Sequence, residues 1–300
     1  PISQSMNRIL ELLDEQALDK DRETLTKFYD AVKKGCAGVT TSEGKQKIIL
    51  ELYDKFFKIA LPTTTAKLGI VYTPVPVVDF ILRSVDGVLQ REFRRHLTDE
   101  NIHILDPFTG TGTFIVRLLQ LDLIRPEDLV RKYTQELHAN EIVLLAYYIA
   151  SINIENAFHD REEQSGYTNF DGICLTDTFQ LGEKDGSDGW FSEAFPVNSQ
   201  RVIDQKNAPI RVIVGNPPYS VGQSSANDNA QNEHYPQLEQ RLAETYVAGT
   251  KATNKNALYD SYIKAFRWAS DRIAEQQDRG GIIAFISNAG WLDGAAMDGM

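Results

Sequence analysis

The amino-acid sequence predicts an α/β fold in which a parallel sheet, covered by helices, follows a purely helical segment. Three observations predict it. The first ~60 residues place their apolar side chains at helical spacing. From residue 69 onward, short apolar runs alternate with helix-period segments, the pattern of successive strand–helix units. Two of those runs end in turns of special chemistry, "LDPFTGTGTF" at 105–114 and "RVIVGNPPYSVG" at 211–222.

In the helical segment, Met6, Ile9, Leu10 and Leu13 share one face, as do Leu25, Phe28, Tyr29 and Val32. A third helix carries Ile49, Leu52, Tyr53 and Phe56. Thr40 and Glu43 precede it at capping-box spacing, and Pro62 stops it. Residues 1–65 therefore read as a helical bundle or connector and 66–300 as the α/β domain.

That domain opens with "GIVYTPVPVVDFIL". Thr73 is placed as N-cap and Pro74 at the first helical position, with Val78, Ile81, Leu82 and Val85 buried. "HILDP" is the first strand, "FIVRLLQLDLI" the helix after it, "QELHANE" the second strand and "IVLLAYYIASINIE" the next helix. "GICLTD", "IRVIVGN" and "GIIAFIS" supply the third to fifth strands, the last preceded by the helix "YDSYIKAFRWASDRI". Residues 180–209 and 222–257 are polar and rich in Gly, Asn and Ser, connections long enough to be functional or mobile.

Composition narrows the class. Three hundred residues, 42% hydrophobic and 24% charged, suit one large domain with an appendage. No apolar run approaches the length of a membrane span, and "PISQSMNRIL" lacks the features of a signal peptide. Cys36 and Cys174 form neither a disulfide framework nor a metal-ligand pattern, which points to a reduced, cytoplasmic setting and no metal. The net charge of −11 weighs against nucleic-acid binding unless positive surface is concentrated locally.

The glycine-rich turn after the first strand lets backbone approach a ligand at Gly110 and Gly112. A phosphate-binding loop would need a lysine that is absent, and a dinucleotide fingerprint would need a small residue where Ile115 stands. S-adenosylmethionine remains, with Asp106 suited to its ammonium group; a purely structural turn fits the same residues. Glu141, ending the second strand, suits a pair of ribose hydroxyls, or is a helix-start glutamate. Asp177, ending the third, suits an adenine amino group with Phe179 available to stack, or is a cap. The start of the helix at Thr73 suits a carboxylate.

Val212, Ile213 and Val214 form a buried-strand run that the prolines cannot continue. The chain thus leaves the sheet rigidly at Asn216, on the edge where open α/β sheets bind ligands. The Asn216 amide oxygen and the Pro217 carbonyl can grip the hydrogens of a planar amine and expose its nitrogen lone pair. Pro217 and Pro218 fix these acceptors beforehand, and Tyr219 offers a face for an unstacked base.

The ordered set Tyr72-Thr73-Pro74, Asp106 to Gly112 and Asn216-Pro217-Pro218-Tyr219 resembles the gamma class of adenine-N6 DNA methyltransferases over residues 66–300. The stretch after Tyr219, with "ATNKNALYDSYIKAFRWASDRI", is closer still to the methyltransferase part of single-chain Type ISP restriction-modification enzymes. The resemblance implies a Rossmann-like sheet that binds S-adenosyl-L-methionine. Its cofactor positions fall on Tyr72, Thr73, Asp106, Phe108, Gly110, Gly112, Glu141, Asp177 and Phe179, its catalytic positions on Asn216 to Tyr219. It further implies double-stranded DNA with a flipped adenine as substrate, and linked nuclease, helicase-like and target-recognition domains. Residues 1–65 would be the end of a coupler. The last strands and target recognition would lie beyond Met300, leaving residues 1–300 alone inactive on DNA. Methylation of a protein glutamine or an RNA amine, and a silent cofactor-binding module, are the competing expectations.

Overall fold

The computed structural model describes residues 73–162, 166–183, 195–218, 234–274, 280–294 and 296–300. The helices expected over 1–65, and both Tyr72 and Tyr219, lie outside the described residues. All five expected strands are present: β1 (His103–Asp106), β2 (Leu137–Glu141), β3 (Ile173–Leu175), β4 (Ile210–Gly215) and β5 (Ile282–Phe285). They pair in parallel in the order β3-β2-β1-β4-β5. The chain thus builds outward from β1 to one side, then returns to add β4 on the other. A crevice opens at such a reversal, along the carboxyl ends of the strands.

One face of the sheet is covered by α1 (Val75–Phe93), α2 (Thr113–Gln120) and α3 (Leu144–His159). Their core runs from Val78 and Leu82 through Ile115 and Leu118 to Ile154 and Phe158. Arg117 of α2 makes a two-pronged pair with Asp79 of α1, at 2.7 and 2.8 Å, which fixes the start of α1 against the glycine turn. The other face holds α5 (Pro236–Leu242) and α6 (Ser261–Ala274), with Leu238, Trp268 and Ala269 against Leu105 and Ile213.

Several local expectations change. Thr73 is not the N-cap of α1; Pro74 is, and no side chain caps the helix. With Thr73 as N-cap the third following residue would be Pro76, whose missing N–H removes one of the two bonds such a cap can make. Helix α2 stops at Gln120 because Leu121 is extended, rather than running to Ile124. Strand β3 ends at Leu175, so Asp177 lies in the loop beyond it.

The polar stretch 180–209 contains a helix, α4 (Pro196–Asn207), and 222–257 contains α5 followed by a π-helical turn, Ala243–Val247. Hydrophobic periodicity does not reveal α4 because it docks through amides. Asn198 accepts from the Leu175 N–H (2.7 Å) and donates to the Leu175 carbonyl (3.0 Å), completing the edge of β3 like a short strand.

At the amino end of the sheet, the residues before β1 and β2 are tied by a buried cation. Lys132 Nζ donates to the carbonyls of Asp99 (2.7 Å) and Ile102 (2.9 Å) and pairs with Glu136 at 2.7 Å. Glu136 also accepts from the Asn101 N–H (2.7 Å) and pairs with Arg131 at 2.5 Å. Among the described residues no helix is long and apolar enough to cross a membrane.

Candidate active site

Strand β1 ends at Asp106, whose side chain is fully buried. Its Oδ1 accepts from the Phe108 N–H (3.1 Å). Its Oδ2 and Asn140 Oδ1 are the buried side-chain oxygens without a hydrogen-bond partner among the described residues. Burial, opposed by the Phe108 N–H and reinforced by the charge of Glu141, pushes the Asp106 carboxyl up to about 8. A buried acceptor held this way is poised for a cation or a strong donor.

The following turn is stapled from three sides. Glu141 is buried and accepts from the Gly110 N–H (2.8 Å) and the Val143 N–H (2.7 Å). Burial, offset by those N–H bonds, pushes its carboxyl up to about 7. The Asn140 carbonyl accepts from the Thr109 N–H (3.0 Å), and Asn153 of α3 donates to the Thr111 carbonyl (3.0 Å).

Gly110 and Gly112 both have positive φ, 56° and 88°, but they do different work. A β-carbon on Gly110 would meet nothing within 4 Å, so its surface faces open space. One on Gly112 would lie 3.2 Å from Ile154 Cγ1 and 3.4 Å from the Ala150 backbone. Gly112 is therefore bare on the side where α2 packs on α3, whereas Gly110 is bare towards open space.

Beyond β3, Asp177 accepts from the Phe179 N–H (2.9 Å) and from the Tyr235 hydroxyl (2.8 Å). The Phe179 ring is buried, 5.5 Å from the Phe108 ring and 5.2 Å from that of Tyr235. Thr178 bridges this loop to the glycine turn: its hydroxyl donates to the Pro107 carbonyl (2.6 Å) and accepts from Asn140 Nδ2 (3.2 Å).

On the other side of the reversal, β4 ends at Gly215 beside Asp106, and Asn216, Pro217 and Pro218 follow it. A β-carbon on Gly215 would lie 3.0 Å from Asp106 Oδ1. Asn216 is half-buried and its Nδ2 donates to Thr73 Oγ1 at 3.2 Å, while Pro217 is buried. The described residues named from the sequence, Thr73, Asp106, Phe108, Gly110, Gly112, Glu141, Asp177, Phe179 and Asn216 to Pro218, thus gather along one edge of the sheet. Asn140, Thr178, Gly215 and Tyr235 join them unannounced. Gly215 had a signal, the bare residue in "VGNPPY"; the others had none that distinguishes them from ordinary polar residues.

A buried acceptor on β1 and a rigid amide–proline turn on β4, facing one crevice, give the layout of a Rossmann-like methyltransferase. Residues 45–259 match the model of the N-6 DNA methylase family, and the chain belongs to that family. Residues 1–44 match the coupler domain of Type ISP restriction-modification enzymes.

Among solved structures, the chain is similar to the ATP-dependent Type ISP restriction-modification enzyme LlaBIII bound to DNA, with a TM-score of 0.87 and 48% identity over 100% of this chain and 20% of that one. A nuclease-deletion mutant of the Type ISP enzyme LlaGI, in complex with a DNA substrate mimic, gives 0.85 and 45% over 100% of this chain and 24% of that one. The DrdV–DNA complex gives 0.82 and 36% over 94% of this chain and 27% of that one. The chain therefore spans a minor part of the enzymes it resembles. No curated protein matches it. The family resemblance carried by the three sequence motifs is thus the family found, and its reaction requires a methyl-donor cofactor.

Proposed function

We propose that this domain methylates N6 of adenine in DNA with S-adenosyl-L-methionine, inside a larger restriction-modification chain. The observation that carries this reading is the Asn216-Pro217-Pro218 turn leaving β4 directly after Gly215, which packs against Asp106 across the sheet reversal. The cofactor residues fit the donor: a buried carboxylate oxygen without a partner among the described residues suits its ammonium group, and the open face of Gly110 leaves room for it. When bound, the cofactor supplies an electrophilic methyl group on a sulfonium.

The chain's own residues do the rest. Asp106 would hold the amino-acid end of the donor, and Glu141 would hold the glycine turn in shape while remaining near enough to meet a ribose. Asp177, already ordered by Tyr235, would take the edge of the donor's adenine. On the target side, the Asn216 amide oxygen and the Pro217 carbonyl would accept the two hydrogens of the adenine amine. Its lone pair would then leave the ring and point at the methyl group. Holding both acceptors on a proline-stiffened turn avoids reorganisation during the reaction. Reaching these groups requires the adenine to leave the duplex, and Tyr219 would give it a surface to lie on. Target recognition, translocation and cleavage would belong to the linked domains.

In the complete enzyme, Asn216→Ala should lower the single-turnover rate of methyl transfer to DNA about 10²- to 10³-fold, by analogy with loss of one preorganised polar contact. Cofactor affinity should be retained. A near-normal rate would remove Asn216 from the chemistry.

A further inference from the structure

A carboxamide is nearly symmetrical in shape, yet its two ends have opposite hydrogen-bonding character. The role given to Asn216 requires its oxygen, not its NH₂ group, to face the target amine. A neighbour that takes the NH₂ end leaves the oxygen for the target. The hydroxyl of Thr73 stands 3.2 Å from Asn216 Nδ2, joining the entry of α1 to the exit of β4 across 143 residues of sequence.

That hydroxyl is not engaged in capping. Pro74 is the N-cap of α1, and its carbonyl accepts from the N–H groups of Val77 (3.0 Å) and Val78 (3.2 Å). The backbone of Thr73 is itself restricted. Pro74 restricts the residue before it to extended backbone, and the first turns of α1 are anchored by buried Val78 and Leu82 and by the Asp79–Arg117 pair. Asn216 is stiffened in the same way by Pro217. The contact thus joins the entry of an anchored helix to the exit of a buried strand.

We propose that Thr73 is a positioning residue for Asn216: its hydroxyl, which can accept or donate, here accepts from Nδ2, holding the amide in place with Oδ1 as the end left for the target amine. This rests on the reading of Asn216 given above. It moves Thr73 from the cofactor side of the site, where the family resemblance put it, to the target side.

The test compares Thr73→Val, Thr73→Ser and Asn216→Ala in the complete enzyme, using single-turnover methylation of DNA and calorimetric titration with the cofactor. Thr73→Val should slow methyl transfer about 10- to 100-fold at saturating cofactor, less than removing the acceptor itself. Cofactor affinity should stay within about twofold, and Thr73→Ser should recover most of the rate. In an Asn216→Ala background Thr73→Val should add no further loss, because residues acting as a unit are not additive. If Thr73→Val does not fold, Thr73→Ala gives the same comparison without the branched side chain. The inference is overturned if Thr73→Val keeps the wild-type rate, or if the defect is weakened cofactor binding that saturating cofactor repairs. Should Asn216→Ala retain its rate, the reading of the catalytic turn fails; should only Thr73→Val do so, that reading stands and this inference falls.

Discussion

A β-carbon added to Gly215 would sit 3.0 Å from Asp106 Oδ1, so the residue ahead of Asn216 is bare because the β1 carboxylate occupies the space a side chain would take. The two halves of the site are in contact at this point. Substitution on the target strand should therefore be felt on the cofactor strand. Gly215→Ala should weaken cofactor affinity about tenfold, equivalent to about 1.4 kcal/mol. Calorimetric titration of the folded variant checks this, and an unchanged dissociation constant would show that the carboxylate moves aside at no cost.

The protonation of Asp106 gives a second prediction. Its carboxyl is pushed up to about 8 and that of Glu141 to about 7, in both cases chiefly by burial. Raised carboxyls make the cofactor-free fold most stable below the ordinary carboxylate range and less so as pH rises through about 7 to 8. A bound ammonium group favours ionised Asp106, so binding should expel a proton below about pH 8 and tighten as pH rises toward it. Titrations at pH 7 in two buffers of different ionisation enthalpy would measure that proton. Identical heats would contradict it.

The two glycines of the turn should separate stability from binding. Left-handed backbone costs a residue with a side chain roughly 1–2 kcal/mol. Gly112→Ala adds to this a crowded contact with Ile154, so its melting temperature should fall further than that of Gly110→Ala. Gly110→Ala, whose β-carbon enters open space, should instead lose cofactor affinity disproportionately. Thermal melts and titrations of both variants decide it; equal melting temperatures would be the contrary result.

At the opposite edge, Lys132→Met should destabilise the fold without touching the site. It strips the carbonyls of Asp99 and Ile102 of a donor and leaves Glu136 with Arg131 and the Asn101 N–H. Breaking a buried pair costs about 3–5 kcal/mol, and the surviving partners place this case at the low end. Burial raises the Glu136 carboxyl, but Lys132, Asn101 and Arg131 outweigh it and hold it below its ordinary value. That contribution is present above the ordinary carboxylate range and is lost as pH falls through it. Denaturant titrations from pH 7 to pH 3 should show wild type losing its advantage over Lys132→Met as the solution is acidified. A constant difference would refute the assignment.

Strands β4 and β5 were legible as compact runs rich in β-branched residues, β1 to β3 by their alternation with helix-period segments, and the motif turns because glycine and proline are restrictive. Helix α4 was not, since its inward contacts are the amides of Asn198 and Gln205, which look like surface residues in a polar stretch. Thr73 was misplaced as a cap because capping is a local rule, whereas its partner lies at the end of β4. Glu141 has its oxygens on backbone N–H groups, a relationship no spacing rule reports.

The strand order also sets the sequence of assembly during synthesis. Ile104 pairs with Leu137 on one side and, much later in the chain, with Val212 on the other. The β1–β2–β3 half, with Asp106 and the glycine turn, is complete before β4 has been translated. Nearby segments pair faster than distant ones, and chains fold from the N-terminal side as they emerge. Until Val212 and Ile213 have been made, the side of β1 that pairs with them has no strand beside it. Docking of β4 therefore closes that edge and brings Asn216 to Thr73 in a single event.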